Sequence, residues 1–561
     1  MKMNSEFIPK SFLYLKNYTR QLFYKDLVAG ITVGIIALPL AMAFSIASGV
    51  PPERGLFTAI VAGFLISALG GSSVQIGGPT GAFVVLVYDI MSRTGYEGLA
   101  LSTIIAAFLL IAIGLFKAGS WIKYIPYPLI IGFTTGIAVI IFSAQIKDFM
   151  GLSLEAVPAN FVKKWISYVE AFPSIRWPTF ALASGTLGFI IVIRRFFPRI
   201  PWGIAALAVS TAAALFFNLP VETIESRFGN LPHSLSLPSF PSLSLLSTNL
   251  HEILFDALAI ALLGGIESLL SAVIADGMIG SRHKSNCELV GLGIANFASI
   301  LFGGIPATGA IARTTANVKS GAQTPMAGMI HAATLFLIIF LFAPIAGKIP
   351  LASLSAILMI IAWNMSELHH FFHLFRAPAA DRSVLLTAFL LTIFVDITFA
   401  IAFGMVLACF LFMKKMSQYS KMVSLTSLFQ ENGPEFFERT DPDAVCKKRV
   451  PPGVEIFEVN GPFFFGAADI LQDLENQESP TKIFILRMRH VPLIDASGIH
   501  ALIEFLQRCQ KKRIELFLSG VHGQAEKDLY AFGFVHLIGK NAIFPHIDAA
   551  LACAEEKLKL L

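Results

Sequence analysis

Two stretches of this chain, LISALGGSSVQIGGPTGAFVVLV from Leu65 to Val87 and FASILFGGIPATGAIARTT from Phe297 to Thr315, decide how the rest is read. Each is an apolar run that ends in Gly-Gly and is soon followed by Pro and a Thr-Gly-Ala triplet, beginning at Thr80 and at Thr308. Pro79 and Pro306 interrupt the chain in apolar surroundings, so a helix that follows either break starts with backbone N–H groups lacking intrahelical acceptors. Gly81 and Gly309 permit close backbone approach, and each helix N-terminus carries roughly half a positive elementary charge. Together the two termini would hold one small anion. Either triplet alone could recur by chance, because Gly and Pro are frequent in membrane helices. The matched pair is what points to a site.

Outward from these breaks, composition excludes a water-soluble fold. Of 561 residues 55% are hydrophobic and 14% charged, against about 25% charged in soluble domains. The excess lies in runs such as GLALSTIIAAFLLIAIGLF, Gly98 to Phe116, and about 20 such residues cross a bilayer as a helix. Roughly fourteen segments fall between Asp26 and Lys414, counted from the apolar stretches between Gly, Pro and charged punctuation. The triplets open the third and tenth, so each half holds seven crossings and the second half is inverted. Interrupted segments at corresponding positions of two halves mark a transporter site at the bilayer midplane. The expected fold is a polytopic α-helical membrane protein, with fourteen transmembrane segments in a 7+7 inverted repeat over residues 26–420. A segment 1–25 precedes it, and a linker 421–450 leads to a small α/β domain at 451–561.

The net charge of +5 is spread in short clusters, which argues against a nucleic-acid partner. Lys117 and Lys123, Arg194, Arg195 and Arg199, Arg282 and Lys284, Arg376 and Arg382, and Lys414 and Lys415 all follow even-numbered crossings. Basic residues collect on the cytoplasmic side, so both termini are expected in the cytoplasm, with the chain integral to the plasma membrane, the inner membrane in a bacterium. Arg93, Lys147 and Lys348 fall on the other side as isolated exceptions. The five cysteines, Cys287, Cys409, Cys446, Cys509 and Cys553, form no CxxC and have no His at ligand spacing, so no disulfide framework, metal site or cofactor is indicated.

A charge at the bilayer centre costs about 2.5–3.5 kcal/mol on insertion scales and needs a reason. Glu267 lies mid-way along ALAIALLGGIESLLSAVIA, Ala257 to Ala275. It reads as an ion-coupling site beside the anion, or as a protonated carboxyl bonded to a neighbouring helix. A carboxyl removed from water can exchange its proton in the physiological range, which favours H+ as the coupling ion. Ser271, four residues on, shares its face and with freed carbonyls could instead complete an oxygen shell for Na+. Arg313 lies one turn beyond Gly309, where it could add positive charge to the seat or pair with Glu267 or Asp276. Asp89, Asp256, Asp276 and Asp396 lie nearer segment ends and read as caps or solvated groups.

ALPLAMAFSIASGVPPERGLFTAI, VQIGGPTGAF, GFTTGIAVIIFSAQI and GIESLLSAVIAD, in that order and followed by a domain containing LIDASGIHAL, resemble the SulP family of anion transporters with a C-terminal STAS domain. The resemblance covers nearly the whole chain. It implies core and gate subdomains that move in an elevator-like cycle, usually as a homodimer. It also implies an anion seated between Thr80, Gly81 and Ala82 and the facing Thr308, Gly309 and Ala310. Phe44 matches an aromatic lining that site, and Arg313 a basic residue near it in some members. Leu40 stands where many members have Gln, which removes one polar contact to the substrate. Glu at the position of Glu267 is typical of members thought to use protons, whereas sodium-coupled bicarbonate carriers look to have Asp there.

After Lys421 charge density rises and short apolar strands alternate with amphipathic helices. GVEIFEVNG, KIFILRMRH and RIELFLSG read as strands, and IHALIEFLQRCQKK as a helix. Ser497, just after Asp495, resembles the STAS serine that is phosphorylated in anti-sigma-factor antagonists; the other reading is a plain helix cap. No phosphate-binding loop or catalytic triad accompanies it, so a transporter and not an enzyme is expected. The leading expectation is proton-coupled symport of a small anion, bicarbonate or sulfate first and C4-dicarboxylates next. The alternatives are a sodium-coupled bicarbonate symporter, an uncoupled anion channel or exchanger, and a membrane-tethered module whose STAS domain binds a cytoplasmic protein.

Overall fold

The structure is a computed structural model that describes residues 5–15, 18–154, 157–158, 160–197, 202–230, 234–242, 245–395, 397–419, 421–424, 449–464, 471 and 481–560. Arg199, Asp396, Cys446 and most of the linker expected at 421–450 lie outside the described residues. The chain divides into two compact units, Met1–Ala408 and Cys409–Leu561.

The first unit is helical. A short helix α1 (Lys10–Leu15) precedes α2 (Arg20–Ala47) and α3 (Pro52–Leu69), and then a two-residue strand β1 (Gly77–Gly78). Next come α4 (Gly81–Leu115), α5 (Tyr127–Met150), α6 (Phe161–Glu170), α7 (Trp177–Phe196), α8 (Trp202–Phe216) and α9 (Ile224–Phe228). Then follow α10 (Leu246–Ile279), α11 (Ser285–Leu301), a second two-residue strand β2 (Thr308–Gly309) and α12 (Ile311–Lys319). The helices α13 (Met326–Gly347), α14 (Leu351–Met365), α15 (Leu368–Leu374), α16 (Ala379–Phe394) and α17 (Ile397–Tyr419) complete the helical part.

Among the described residues eight helices are long and apolar enough to cross a membrane, and three shorter apolar helices join them. Large side chains such as Phe108, Phe340 and Phe410 stand exposed on the helix surfaces. Their solvent is lipid, because a helix satisfies its own backbone and loses nothing by facing hydrocarbon. α4 breaks at Gly95, whose φ of 67° is left-handed. The helical start at Arg20 precedes the expected boundary at Asp26, because Thr19 caps α2 by accepting from the Leu22 N–H. Asp26 is fully buried and accepts from the backbone N–H groups of Gln323 and Thr324 and the Thr324 hydroxyl, which fixes α2 to the turn before α13.

The second unit contains a five-stranded sheet in the order β3-β4-β5-β6-β7: β3 (Lys421–Ser424), β4 (Val454–Asn460), β5 (Ile483–His490), β6 (Glu515–Ser519) and β7 (Ile543–Phe544). β3 is antiparallel to β4 and the rest are parallel. Lys421–Ser424, expected as the start of the linker, is thus an edge strand of this sheet. Four residues without flanking turn signals carry little strand pattern of their own, and the β4 edge supplies the pairing. Period-two alternation splits the core. Phe457, Phe484 and Leu486 pack with Leu502 and Phe505 of the helix Ala496–Lys511, whereas Ile456, Ile485 and Phe517 pack with Ala550 and Leu551 of the helix Ile547–Leu560.

Asp495 caps the first of these helices, accepting from the Gly498 N–H at 2.7 Å, and Ser497 stands exposed in its first turn. Capping therefore belongs to Asp495. Asp495→Ala should cost about 1 kcal/mol, read as faster hydrogen exchange of this helix in the full chain, and Ser497→Ala should leave exchange unchanged.

Candidate functional site

The two sequence breaks meet. β1 and β2 pair antiparallel, with Gly77 opposite Gly309 and Gly78 opposite Thr308, and the Ala310 N–H donates to the Ile76 carbonyl at 2.8 Å. α4 and α12 start directly beyond this pair, so Gly81, Ala82 and Ala310, all buried, lie together at two helix N-termini. Neither start is capped by a side chain. Thr80 occupies the N-cap of α4, yet its hydroxyl donates to Glu267 Oε2 at 2.9 Å. Ala310, at the N-cap of α12, has no polar side chain, and the Thr308 hydroxyl donates to the Gly264 carbonyl at 2.8 Å. First-turn N–H groups without an intrahelical acceptor are thereby left to a ligand or water, and the two macrodipoles add there.

Irregular backbone at membrane depth has to be satisfied within the protein, and each break is served by helices from elsewhere in the chain. Asn296 of α11 takes both polar groups of Ala307, donating to its carbonyl at 2.9 Å and accepting from its N–H at 2.8 Å. Thr58 of α3 accepts from the Ile305 N–H at 2.7 Å. At the other break, Asn317 of α12 donates to the Val74 carbonyl at 2.9 Å, and Thr314 accepts from the Ile76 N–H at 3.1 Å. Only glycine suits position 78: its φ is 143°, and a Cβ there would stand 2.7 Å from an Arg313 guanidinium nitrogen.

The expected residues fall as follows. Phe44 of α2 is buried, and its ring lies 3.4 Å from where a Cβ on Gly81 would be. Glu267 sits on α10 against Thr80 and keeps some accessible surface. Ser271 does not turn to Glu267; its hydroxyl donates to Thr314 at 3.1 Å and so ties α10 to α12. Arg313 is 2% exposed and donates to the Pro79 carbonyl, with its other terminal nitrogen unbonded. It makes no ion pair among the described residues, because Asp276 is engaged by Ser281 at 2.7 Å and by His283 at 2.6 and 2.7 Å. Asp256 and Asp89 share Arg93, each at 2.8 Å.

Sequence reading missed three contributors. Met365, the last residue of α14, closes on the start of α4, its sulfur 2.6 Å from a Cβ on Gly81. Gln75 donates to Ser268 at 2.7 Å, beside Glu267. Glu288 is a second buried carboxylate, accepting from the N–H groups of Gly71 and Ser72 at 2.7 and 3.0 Å and from Ser268 at 3.3 Å. Glu288 accepts three hydrogen bonds and is fully buried, whereas Glu267 has one hydrogen-bond donor among the described residues and is only partly buried.

Comparison with known proteins agrees with this architecture. Residues 23–388 match the sulfate permease family and residues 446–550 the STAS domain. YvdB of Bacillus subtilis is 41% identical over 539 residues, 95% of this chain and 98% of that one. The bicarbonate transporter BicA of Synechocystis is 30% identical over 527 residues, covering 90% and 89%. Among solved structures, the transmembrane domain of a cyanobacterial BicA superposes with a TM-score of 0.61 at 29% identity, covering 70% of this chain and 98% of that one. Murine Slc26a9, an anion transporter in an inward-facing state, gives 0.87 at 18% identity, covering 99% and 96%, a likeness of fold.

Proposed function

Since the chain belongs to the sulfate permease family and is therefore a membrane anion transporter rather than an enzyme, we propose that it accumulates a small oxyanion by proton-coupled symport, with Glu267 as the coupling carboxyl. Sulfate and bicarbonate are the first candidates, given the family description and the BicA relatives; C4-dicarboxylates come next. The observation that carries the reading is the hydrogen bond from the Thr80 hydroxyl to Glu267. It joins the residue at the start of α4 to a partly exposed carboxyl beside the seat. An anion at the two N-termini and a charge on Glu267 then oppose each other, and a proton on Glu267 lets the anion in.

Thr80, Gly81, Ala82, Thr308, Gly309 and Ala310 form the seat in this reading. Phe44 and Met365 close it, and Arg313 supports it through Pro79. Fourteen crossings in two inverted halves of seven fit the helix order: with α4 counted as two helices at Gly95 and the short helices α1, α6, α9 and α15 left out, α12 is the tenth and α17 the fourteenth. Both termini would be cytoplasmic. An elevator-like movement, a homodimer, a cytoplasmic partner for the STAS domain and a regulatory role for Ser497 rest on the family resemblance.

The test is uptake by reconstituted protein. With labelled sulfate, bicarbonate and fumarate under imposed pH and sodium gradients, an acid-outside gradient should concentrate sulfate or bicarbonate inside, and a sodium gradient alone should not. Accumulation driven by sodium alone, or exchange without accumulation, would replace proton symport with one of the other two transport modes.

A further inference from the structure

A cavity of about 190 Å³ opens between α2, α4, α5, α6 and α16, apart from the paired helix N-termini. Its inner wall includes Val84 of α4 and Ala47 of α2. These lie about one helical turn from Gly81 and Phe44 respectively, so the cavity reaches to within a turn of the seat. Under the topology proposed above it faces the side opposite the termini.

The charges around it are arranged unequally. Asp89 is held by Arg93 at 2.8 Å, and Asp148 by Arg227 at 2.9 Å. Lys147 donates to the Leu154 carbonyl at 2.6 Å. Lys164 is the exception. It is 5% exposed, lines the cavity, and forms no hydrogen bond or ion pair among the described residues; the face of the Tyr88 ring lies 5.8 Å from the ammonium. That distance is at the outer limit of a cation–π contact. The lysine occupies the inward face of α6, where Tyr168 one turn on is also buried. Asn160 fixes this helix start by accepting from the N–H groups of Val162 and Lys163, both at 3.1 Å. A buried ammonium without a counterion is costly, and a position that packing alone would give to leucine holds it in place.

We infer that this cavity is a second, outer binding site for a small anion, with the Lys164 ammonium as its anchoring charge. Asp89 and Asp148 are each engaged by an arginine, whereas the Lys164 ammonium has no ion pair among the described residues, so a small oxyanion or halide is the ligand it would attract. If the transport reading above also holds, an anion bound here waits one turn from the central seat and raises its local concentration there.

The experiment compares the full-length wild type with Lys164→Met and Lys164→Arg, first by initial-rate uptake of labelled sulfate and bicarbonate from the face opposite the termini. Removing one charged donor from a small anion should raise the apparent KM about tenfold in Lys164→Met, with kcat within about twofold, and Lys164→Arg should recover most of the loss. An unchanged KM in Lys164→Met, or an arginine variant as impaired as methionine, overturns the site. If the wild type takes up neither these anions nor fumarate, the transport reading fails, and calorimetry on the purified chain with sulfate and chloride then decides the site alone. One class of binding lost in Lys164→Met and kept in Lys164→Arg supports it. Equal binding by all three proteins, or none by the wild type, overturns it.

Discussion

Glu267→Gln is expected to abolish accumulation driven by a pH gradient, a loss of at least about tenfold in the steady-state ratio, while exchange of labelled anion across the membrane continues. The amide keeps the shape of the side chain and can still accept from the Thr80 hydroxyl, as Glu267 does at 2.9 Å. What it removes is the charge that a proton switches. Two unit negative charges about 6 Å apart repel by about 3 kcal/mol at an effective dielectric constant of 20, a factor of about 100 in affinity. Arg313, held against Pro79, offsets part of this. In the wild type the anion should therefore bind best where protons are plentiful and leave where they are scarce, so its apparent KM should fall as pH falls. In the glutamine variant the KM should be independent of pH. Proton-driven accumulation retained by Glu267→Gln would remove this residue from the coupling mechanism.

Gly309→Ala is expected to lower uptake at least about tenfold with little loss of protein from the membrane. A Cβ at this position would stand 1.8 Å from the Gln75 amide nitrogen and 3.1 Å from the Ser268 Cα. Gln75 is the end of a flexible side chain and can withdraw, which preserves the fold. Its withdrawal breaks the 2.7 Å bond to Ser268 and disturbs the register of Gly309 with Gly77. Both helix N-termini then shift relative to Glu267. Uptake by membranes matched for protein content is the measurement. A rate within threefold of the wild type would place the anion somewhere other than this junction.

Much of this site was legible in the sequence because its main signals are local. Pro79 and Pro306 each lie in the non-helical stretch shortly before a helix start, and the repeated triplets at Thr80 and Thr308 paired the breaks across more than two hundred residues. Glu267 stood out because a carboxyl deep in an apolar run needs a reason. The missing parts are contacts whose partners are distant in sequence. Gln75 sits next to Ser268 and Met365 next to Gly81 only once the helices have packed. Arg313 was legible as a nearby charge but not as a brace for the Pro79 carbonyl, since sequence gives the face of a helix and not the direction of a guanidinium. In the second unit, period-two alternation announced β4, β5 and β6, whereas β3 exists through its neighbour's free edge.

The pairing of β1 with β2 bears on how an occupant gets out. Gly77 and Gly78 are bonded to Gly309 and Thr308, Asn317 grips Val74 at 2.9 Å, and Thr58 grips Ile305 at 2.7 Å, so the two half-helices and their braces make one rigid frame. Prising the two helix ends apart would break several buried backbone hydrogen bonds at once, each at a cost of several kcal/mol where the freed groups find no new partner. Sliding the whole frame past its neighbours breaks none of them. In the elevator-like movement proposed above, a guest held between these ends would travel with its container.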